Sequence, residues 1–377
     1  MTLRVLHVVE AIEGGLARHV AQVVHHVPAE HHVALPSQRV GGFTDSTAVA
    51  TMVAAGAHLH VTAMRRSPAN VRNAAAVARV RALIRTVRPD LVHGHSSIGG
   101  AAARLAAVGT RVPRVYTPNG LLTSPGALAV ERRLGRLTEA FVAVSETEAE
   151  VAERRALAPP DRIFVIPNGI ELDDPGPPVV DLRTRLGIDD STPLVGTVSR
   201  LAHQKAPEVF VRACARVAAA FPYARFVLVG EGPLARLVAT EIATAELDGR
   251  MLHLRGVHGA PTLMRQLDVF VLSSRYEGGP YAPLEAMRVG TPVVVTDVIG
   301  SRDTVENGRS GLVVSPDDPD ALADAVGRLL ADPALRCSLA EGGRARLAQR
   351  FDVRRMADRL GNLYQTLTTT PKPLRSS

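Results

Sequence analysis

Residues 269–295 have the sequence VFVLSSRYEGGPYAPLEAMRVGTPVVV, and this stretch decides which class of fold the chain adopts. Two apolar runs, Val269–Leu272 and Pro292–Val295, enclose a polar segment that contains Gly278-Gly279-Pro280. The glycines and the proline prevent one continuous helix, so a loop must precede the helix that leads to the second run. Short, uninterrupted runs of valine and leucine are typical of parallel strands covered on both faces. The stretch therefore predicts a strand, a loop, a helix and a second strand of a parallel α/β sheet.

The same alternation of apolar runs and helical patterns extends from this stretch in both directions. The segment Asp173–Pro178 interrupts it, because its prolines and glycine fit neither a helix nor a central strand. At 377 residues the chain exceeds the usual size of a single core. We predict an α/β, doubly wound domain over residues 1–172, a second one over residues 173–352, and a final helix over residues 353–368.

The individual elements are predicted from apolar runs for strands and from helical spacing for helices. The predicted strands are Leu3–Val9, His32–Leu35, His58–Thr62, Leu91–His93, Arg114–Tyr116, Ala140–Val144, Leu194–Val198, Phe226–Val229, Met251–Leu254, Val269–Leu272, Pro292–Val295 and Leu312–Val314. The predicted helices include Ala17–Val27, Val71–Val87, Glu131–Leu137, Ala321–Leu330 and Val353–Leu367.

The composition restricts the partners. Aromatic residues make up 3% of the chain and tryptophan is absent, which disfavours a protein that stacks nucleic-acid bases. Residues 1–170 contain 19 arginines and 12 acidic residues, so the whole formal excess of +7 falls in this basic first half of the chain. This excess suits an anionic acceptor, a phosphorylated substrate or a membrane surface; codon bias explains it equally well. We expect no nucleic-acid partner, and a peripheral membrane contact through the basic first domain stays open.

The sequence predicts neither a signal peptide nor a membrane-spanning segment. Leu3–Val9 follows the first residues without a basic stretch, so no signal peptide is predicted, and no apolar run is long enough to span a bilayer. Cys214 and Cys337 fall in helical patterns and are predicted as small buried residues, with no disulfide or metal framework. These features predict a cytoplasmic protein that could lie against the inner face of the membrane.

Glu277 and Glu285 are the first candidate site residues. Seven residues separate them, and the glycines and proline between them place Glu277 at the strand end and Glu285 on the next helix. Both then lie at the carboxyl edge of a parallel sheet, where open α/β folds bind ligands. Backbone amides at the start of the helix can meet phosphate oxygens. Alternatively, Glu277 terminates the strand and Glu285 is a solvated helix residue.

This pair, followed by Ala286-Met287 and Gly290-Thr291-Pro292, resembles the signature of retaining glycosyltransferase family 4. The resemblance implies the GT-B fold, in which two Rossmann-like domains face each other across a cleft and the second holds a nucleotide-sugar donor. It implies that Glu285 bonds the ribose and that Glu277 contacts hydroxyls of the transferred sugar. It also implies that the amides around Pro280, Tyr281 and Ala282 meet the diphosphate and the sugar, and that the final helix packs back onto the first domain.

Lys205 stands out because the chain otherwise uses arginine: of 44 basic residues only Lys205 and Lys372 are lysines. A compact ammonium group is therefore expected to have a task at position 205. The element from Val195 through Arg200 to Lys205 is similar to the strand and loop with which the family holds the donor diphosphate. Fixed cations stabilise the charge that develops on such a leaving group. Ala206-Pro207 departs from the glycine that often follows this lysine, so the local backbone is expected to differ.

Gly230-Glu231-Gly232 partly matches the dinucleotide fingerprint, which makes an NAD-dependent oxidoreductase the alternative function. Arg255 occupies the end of the next strand, where that fingerprint needs an acidic residue. By resemblance, Gly230 allows a tight turn beside the donor and Val257 lies where the family contacts the base through its backbone. A nucleotide-sugar epimerase of related fold and a catalytically silent homologue are further alternatives.

The first domain supplies a second group of candidates. Gly14 and Gly15 follow the first strand and open a helix, where glycine allows the backbone to approach a phosphate or a sugar. By resemblance these glycines contribute to donor binding, His95 contacts the transferred sugar, and Asn119 lies on the acceptor side. His93 and His95 share a strand face but lack an evident third metal ligand, so His93 is predicted as a packed neighbour.

Other candidates for a metal are set aside. His25, His26, His31 and His32 are assigned to a solvated face, and Asp318-Pro319-Asp320 is assigned to a helix start. We expect no metal and no other cofactor. The resemblance implies a hexosyl transfer with retained configuration, from a UDP-sugar or, next, a GDP-sugar. The expected acceptor is an envelope polysaccharide, a lipid-linked glycan or a natural product.

Overall fold

The protein is described from a computed structural model, which covers residues 2–36, 45–65, 71–121, 124–257 and 259–369. Lys372 lies outside these residues. The chain forms two compact units, one of residues 1–169 and 353–377 and the other of residues 170–352. The irregular segment from Asp173 to Pro178 lies at the beginning of the second unit.

The first unit is a parallel sheet with helices between its strands. Within its described residues the sheet has seven strands in the order β3-β2-β1-β4-β5-β6-β7. In chain order its elements are β1 (Arg4–Val9), α1 (Gly14–His26), β2 (Glu30–Leu35), α2 (Ser46–Ala54), β3 (His58–Val61), α3 (Val71–Val87), β4 (Leu91–His95), α4 (Ser97–Ala106), β5 (Arg114–Thr117), α5 (Pro125–Gly135), β6 (Ala140–Ala143), α6 (Glu146–Arg154) and β7 (Ile163–Val165).

The second unit repeats this architecture. Its described residues contain a parallel sheet of six strands in the order β10-β9-β8-β11-β12-β13. Its elements are α7 (Leu182–Leu186), β8 (Leu194–Val198), α8 (Pro207–Ala220), β9 (Arg225–Val229), α9 (Ala235–Thr244), β10 (Met251–Leu254), β11 (Val269–Leu272), α10 (Tyr281–Arg288), β12 (Val293–Thr296), α11 (Ser301–Thr304), β13 (Leu312–Val314), α12 (Pro319–Ala331) and α13 (Pro333–Arg350).

The last helix, α14 (Val353–Thr369), returns to the first unit. Its buried face includes Met356, Leu360 and Tyr364, which pack in one core cluster with Val5 on β1 and Leu91 on β4. Gly169 allows this helix to start close to the preceding chain, because a Cβ atom at Gly169 would lie 2.5 Å from Cα of Val353. The helix thus shares a core with α1, since Val23 and Val27 belong to the same cluster.

The strands predicted from apolar runs are all present, with shifts of one or two residues at their ends. The strand β7 was missed, because its three residues are only half-buried and form too short a run. The helix predicted over Glu131–Leu137 instead spans Pro125–Gly135, where a proline in the first turn supports an earlier start. Cys214 is buried as predicted, whereas Cys337 is exposed on α13, so its prediction as a core residue was wrong.

In each sheet, the direction in which successive strands are added reverses at one point. In the first sheet β1 and β4 are neighbours, and in the second β8 and β11 are neighbours, so successive strands are added on opposite sides of each pair. At such a switch point the connecting loops diverge and leave a crevice at the carboxyl ends of the strands. Ligand-binding residues are therefore expected after β1, β4, β8 and β11.

Candidate active site

The second unit brings Lys205 and Glu277 together at its switch point. Lys205 ends a short 3-10 helix (His203–Lys205) that follows β8, and Glu277 follows β11. Nζ of Lys205 donates to Oε1 of Glu277 at 2.5 Å. The side chain of Glu277 is 6% exposed and that of Lys205 is 20% exposed. A buried carboxylate therefore has its counter-charge on the neighbouring loop, as buried charges require.

Two further donors fix the carboxylate of Glu277. Oγ of Ser274 donates to the same Oε1 at 2.6 Å, and Nε2 of Gln204 lies 3.4 Å from Oε2. Gln204 also donates to the backbone carbonyl of Tyr276 at 3.0 Å. Both carboxylate oxygens are thus engaged, so Glu277 is positioned as an oriented acceptor.

Arg275 and Ser273 hold the two loops together, and the sequence did not identify them as site residues. The guanidinium group of Arg275 donates to the carbonyl of His203 at 3.0 Å, to Glu208 at 2.6 Å and to Asp317 at 2.7 Å. Ser273 Oγ lies 3.0 Å from the carbonyl oxygen of Lys205. The segment on either side of Lys205 is therefore tied to the loop that carries Glu277. These contacts join residues about seventy positions apart, which no local motif could reveal.

Ala206 adopts the left-handed conformation, with φ 46° and ψ 52°. Glycine is favoured in this region because an ordinary side chain is strained there by about 1 kcal/mol. Ala206 stands where the family often has glycine, and it adopts a backbone conformation that suits glycine. The methyl group of Ala206 is fully buried in the core beside α8. This burial offsets part of the strain.

The helix α10 begins directly after the Glu277 loop. Pro280 is its N-cap residue, and Tyr281 and Ala282 form its first turn, where amide groups have no acceptor within the helix. Such a helix start carries a partial positive charge and can bind an anion. Glu285 lies one turn further and is 8% exposed, so it is not the solvated helix residue of the alternative interpretation.

Gly230 is required by a close approach of two backbones. A Cβ atom at Gly230 would lie 1.9 Å from the carbonyl oxygen of Ser199, and one at Gly232 would lie 2.2 Å from that of Leu201. The glycine pattern that suggested a dinucleotide fingerprint is therefore explained by packing against the loop after β8. That loop carries Arg200, which is exposed, while Val257 is half-buried against the core of the second unit.

In the first unit, the candidates lie after β1 and β4. His95 is the last residue of β4 and is fully buried, and Gly14 and Gly15 are exposed at the start of α1. Gly14 has a φ of 56°, and a Cβ atom there would meet no atom within 4 Å. Its backbone conformation, rather than a lack of space, accounts for glycine at this position.

Buried histidines form a hydrogen-bonded group around His95. Nε2 of His95 lies 3.1 Å from Nδ1 of His7, and Nε2 of His7 lies 3.0 Å from Nδ1 of His31. Burial lowers the pKa of His7 and of His95 well below the usual value, and also lowers that of His31. The three rings are therefore neutral near pH 7. His31 is 4% exposed and His32 is 9% exposed on β2, so their assignment to a solvated face was wrong.

The structure also supplies the third ring that the sequence did not show beside His93 and His95. Ring nitrogens of His7, His93 and His95 lie within 4.8 Å of one another, as do ligand atoms of Glu30, His32 and His58. His93 is a packed neighbour as predicted, since its nitrogens bond Tyr364 Oη at 2.6 Å and Thr117 Oγ1 at 2.8 Å. Hydrogen bonds thus already engage both nitrogens of His93 and both nitrogens of His7.

His19, on α1, is the other buried histidine next to His95. Its Nδ1 lies 2.9 Å from Oδ1 of Asn168, and its ring centre lies 5.4 Å from that of His95. Burial lowers the pKa of His19 to about 4. The sequence Asn168-Gly169 predicts a turn before the domain boundary, but Asn168 is 5% exposed and orients His19.

The loop with Asn119 is held by a hydrogen bond to the buried residue Glu148. Asn119 has a φ of 54°, a left-handed conformation that asparagine tolerates. The amide of the following Gly120 donates to Oε1 of Glu148 at 3.0 Å, and Oε2 of Glu148 accepts from the amide of Val144 at 2.8 Å. Ser145 caps α6 by accepting from the amide of Glu148. Glu148 is fully buried and was not recognised from the sequence.

In comparison with known proteins, each of the two units matches a family of glycosyltransferases. Residues 181–346 match the family described as "Glycosyl transferases group 1", and residues 13–174 match "Glycosyltransferase Family 4". A D-inositol 3-phosphate glycosyltransferase of Xylanimonas cellulosilytica is 32% identical over 311 residues, which covers 74% of this chain and 72% of the relative.

Two further relatives show similar agreement. The UDP-Gal:alpha-D-GlcNAc-diphosphoundecaprenol alpha-1,3-galactosyltransferase of Escherichia coli is 29% identical over 75% of this chain and 76% of its own. The alpha-D-kanosaminyltransferase of Streptomyces kanamyceticus is 29% identical over 77% of this chain and 81% of its own.

Solved structures confirm the predicted fold. HepE of Anabaena, in complex with UDP and glucose, superposes with a TM-score of 0.83 at 21% identity and covers 97% of this chain and 100% of its own. Sucrose-phosphate synthase of Thermosynechococcus elongatus gives a TM-score of 0.81 at 22% identity over 97% of this chain and 99% of its own. Both units are parallel α/β sheets, and the chain has the GT-B fold. The chain belongs to glycosyltransferase family 4 and is a glycosyltransferase.

Proposed function

We propose that this glycosyltransferase transfers a hexosyl unit from a nucleoside diphosphate sugar to an acceptor hydroxyl with retention of the anomeric configuration. The observation that carries the proposal is the buried ion pair of Lys205 and Glu277, placed immediately before the start of α10. A cation and a set of helix amides suit a diphosphate. An oriented carboxylate beside them suits the hydroxyl groups of a sugar.

In this proposal the second unit holds the donor. Lys205 and Arg200 face the diphosphate, and the amides around Pro280, Tyr281 and Ala282 add partial positive charge. Glu285 accepts hydrogen bonds from the ribose, and Gly230 and Val257 contact the nucleoside through their backbones. The fixed cations supply the charge that a divalent metal supplies in other transferases, so we propose a reaction that needs no metal and no other cofactor.

The reaction breaks the bond between the anomeric carbon and the phosphate oxygen. The acceptor oxygen bonds to the same carbon on the same face, and its proton passes to the leaving phosphate. Glu277 is engaged by Lys205 and Ser274 and therefore serves as a hydrogen-bond acceptor for the sugar, with no covalent intermediate. Lys205 stabilises the negative charge as the diphosphate leaves.

We assign the first unit to the acceptor side. His95 contacts the transferred sugar, Gly14 and Gly15 allow the chain to approach the donor phosphate, and Asn119 lies toward the acceptor. The basic charge of residues 1–170 favours an anionic or membrane-bound acceptor. None of the helices within the described ranges has the length and apolar character to cross a bilayer.

A UDP-sugar is the favoured donor and a GDP-sugar the next. The solved structure of HepE contains UDP and glucose, and the galactosyltransferase of Escherichia coli has a UDP-sugar in its name. The names of the relatives include a GlcNAc-diphosphoundecaprenol, a D-inositol 3-phosphate and a transferred kanosaminyl group. We propose an acceptor of envelope polysaccharide, lipid-linked glycan or natural-product biosynthesis.

The decisive experiment is a thermal-shift panel with UDP, GDP, ADP, TDP and NAD, each with and without EDTA. A nucleotide at about a hundred times its Kd stabilises the folded protein by about 2.7 kcal/mol. We expect a shift with one nucleoside diphosphate that EDTA leaves unchanged and that Glu285→Ala abolishes. Glu341→Ala, at an exposed position on α13, is the matched control and retains the shift.

Two results would redirect the proposal. A shift with NAD alone would restore the oxidoreductase, and loss of the shift in EDTA would contradict a metal-independent site. The anomeric configuration of the product, measured by NMR with the donor so identified, tests retention. Conversion of the donor without any acceptor would indicate an epimerase instead.

A further inference from the structure

A line of hydrogen bonds leads from a backbone carbonyl through three buried histidines to the site. Nε2 of His31 donates to the carbonyl oxygen of Val27 at 2.8 Å, because a carbonyl can only accept. The three rings are neutral, so each carries one proton and one lone pair. The proton of His31 is on Nε2, and its Nδ1 must therefore accept.

This first assignment determines the next two. His7 donates from Nε2 to Nδ1 of His31, so Nδ1 of His7 accepts. His95 then donates from Nε2 to Nδ1 of His7. The lone pair of His95 is left on Nδ1, which is buried and makes no hydrogen bond within the described part of the chain. The state of His95 thus depends on a carbonyl group at the end of α1, three hydrogen bonds away.

His19 is held in the opposite tautomer by a separate contact. Its Nδ1 donates to the side-chain oxygen of Asn168, which leaves the lone pair on Nε2. This Nε2 is also buried and has no hydrogen-bond partner among the residues that the structure describes. The rings of His19 and His95 lie edge to face, with their centres 5.4 Å apart. Two neighbouring imidazole rings in the first unit therefore each keep one buried lone pair without a donor among the described residues.

We propose that His31 and His7 are positioning residues that keep His95 in the Nε2–H tautomer, and that Asn168 keeps His19 in the Nδ1–H tautomer, so that this part of the first unit accepts hydrogen bonds from the hydroxyl groups of its ligand. The proposal rests on the proposed function only in naming a sugar as the source of these hydroxyls. Neutral nitrogen lone pairs attract O–H donors and repel the oxygens of a phosphate or a carboxylate. The histidines thereby favour a sugar ring over the charged part of the donor.

The hydrogen bond from His31 to the carbonyl of Val27 determines which nitrogen carries the proton in each of the three histidines. Without it, the two arrangements of protons along His7 and His95 would be similar in energy. His7 could then donate from Nδ1 to Nε2 of His95, which would move the proton of His95 to Nδ1. A change at His31, which makes no contact with the ligand in this proposal, would therefore change what His95 can bind.

The first test uses the complete chain labelled with 15N-histidine. The ring nitrogens of His95 are assigned by the signals that disappear in His95→Gln, and their chemical shifts distinguish protonated from unprotonated nitrogen. We expect Nε2 protonated and Nδ1 unprotonated at neutral pH. A protonated Nδ1, or a doubly protonated ring, overturns the proposal without any activity measurement, so this outcome is independent of which reaction the protein catalyses.

The second test compares His31→Phe with His32→Phe, a matched control on the same strand. His32 belongs to a different group, since its nitrogens bond His60 and Glu30 at 3.0 Å and 2.9 Å. We expect His31→Phe to give a mixture of His95 tautomers and to lower kcat/KM about tenfold, the effect of one hydrogen bond. His32→Phe leaves both unchanged. If His31→Phe folds and its His95 tautomer is unaltered, the proposal that His31 controls His95 is overturned.

A third variant keeps the proposal testable if His31→Phe does not fold. His7→Asn places an amide oxygen near the position of the ring Nδ1, where it accepts from Nε2 of His95. His7→Leu offers no acceptor there. We expect His7→Asn to retain the His95 tautomer and most of the activity, and His7→Leu to lose both. The same tautomer mixture in the two variants would contradict a positioning role for His7.

Discussion

Oε1 of Glu277 accepts hydrogen bonds from both Nζ of Lys205, at 2.5 Å, and Oγ of Ser274, at 2.6 Å. A buried carboxylate thus has one oxygen shared between a cation and a hydroxyl group. The cation comes from the loop after β8 and the hydroxyl from the loop after β11, which are neighbouring strands of one sheet. The ion pair therefore both stabilises the second unit and positions the two charged side chains that we propose to contact the donor.

Loss of either partner of this pair should lower stability and activity together. Lys205→Met leaves the carboxylate buried without its counter-charge, and we expect a loss of about 2 kcal/mol, which is below the usual cost because Lys205 is partly exposed. Glu277→Gln should cost less, since an amide is neutral. In the double variant the losses should not add, because each single change already breaks the same contact. Thermal unfolding followed by circular dichroism measures this; additive losses would show that the pair does not interact.

Arg275 should affect the reaction without contacting the donor. Arg275→Lys keeps the charge, but a lysine cannot donate at once to the carbonyl of His203 and to the carboxylates of Glu208 and Asp317. We expect kcat/KM to fall about tenfold as Lys205 loses its fixed position, the effect of one lost hydrogen bond. Arg302→Lys is the control, because Arg302 forms an exposed pair with Asp297. Equal activity of the two variants in a donor-hydrolysis or transfer assay would refute the role of Arg275.

Gly230→Ala should be far more destabilising than Gly249→Ala. Both glycines have a positive φ, so both substitutions carry a backbone strain of about 1 kcal/mol. Only at Gly230 would the new methyl group also collide with the carbonyl of Ser199, at 1.9 Å, whereas Gly249 has open space. We expect a loss of roughly 3 kcal/mol at Gly230. Melting temperatures of the two variants measure the difference, and similar values would mean that the loops can separate at little cost.

The first unit should lose stability as the pH falls. Burial lowers the pKa of His19 from 6.5 to about 4, so the unfolded chain binds more protons than the folded one between these values. Its contribution to stability is therefore complete above pH 6.5 and is lost as the pH decreases toward 4. The slope is about 1.4 kcal/mol per pH unit for each such histidine. The lowered pKa values of His7, His93 and His95 add to the same trend.

Thermal unfolding of His19→Gln across this pH range isolates one of these contributions. The variant should show a shallower dependence of melting temperature on pH than the natural protein. His25→Gln, at an exposed position near the end of α1, serves as the control with an unchanged slope. A slope that is equal in all three proteins would mean that His19 is accessible to protons in the folded state.

Glu148→Gln should weaken the support of the loop that carries Asn119. The carboxylate accepts from two backbone amides, those of Gly120 and Val144, and an amide side chain has only one oxygen for them. One buried N–H group is left without its acceptor, which costs about 2 kcal/mol. Glu150→Gln, at an exposed position on the same helix, should be neutral. Comparable melting temperatures of the two variants would contradict this anchoring role.

The sequence by itself determined the class of the fold and predicted residues of the candidate site. The apolar runs from Leu3 to Val314 predicted parallel strands, because a strand buried on both faces must be apolar throughout. The single interior lysine and the Glu277–Glu285 spacing predicted donor-side residues, and the resemblance built on them named the family that the comparisons confirm. These signals are local, since each depends on residues close together in the chain.

The tertiary structure alone decided which strands are neighbours and therefore which side chains meet. Nothing in the apolar pattern places β1 beside β4 or β8 beside β11, because every buried parallel strand has the same pattern. That order brings His7 to His95 across 88 positions and Lys205 to Glu277 across 72 positions. His31, Asn168, Arg275 and Glu148 were missed or misassigned for the same reason. Their roles come from hydrogen bonds between distant segments, and such bonds exist only once the sheets have formed.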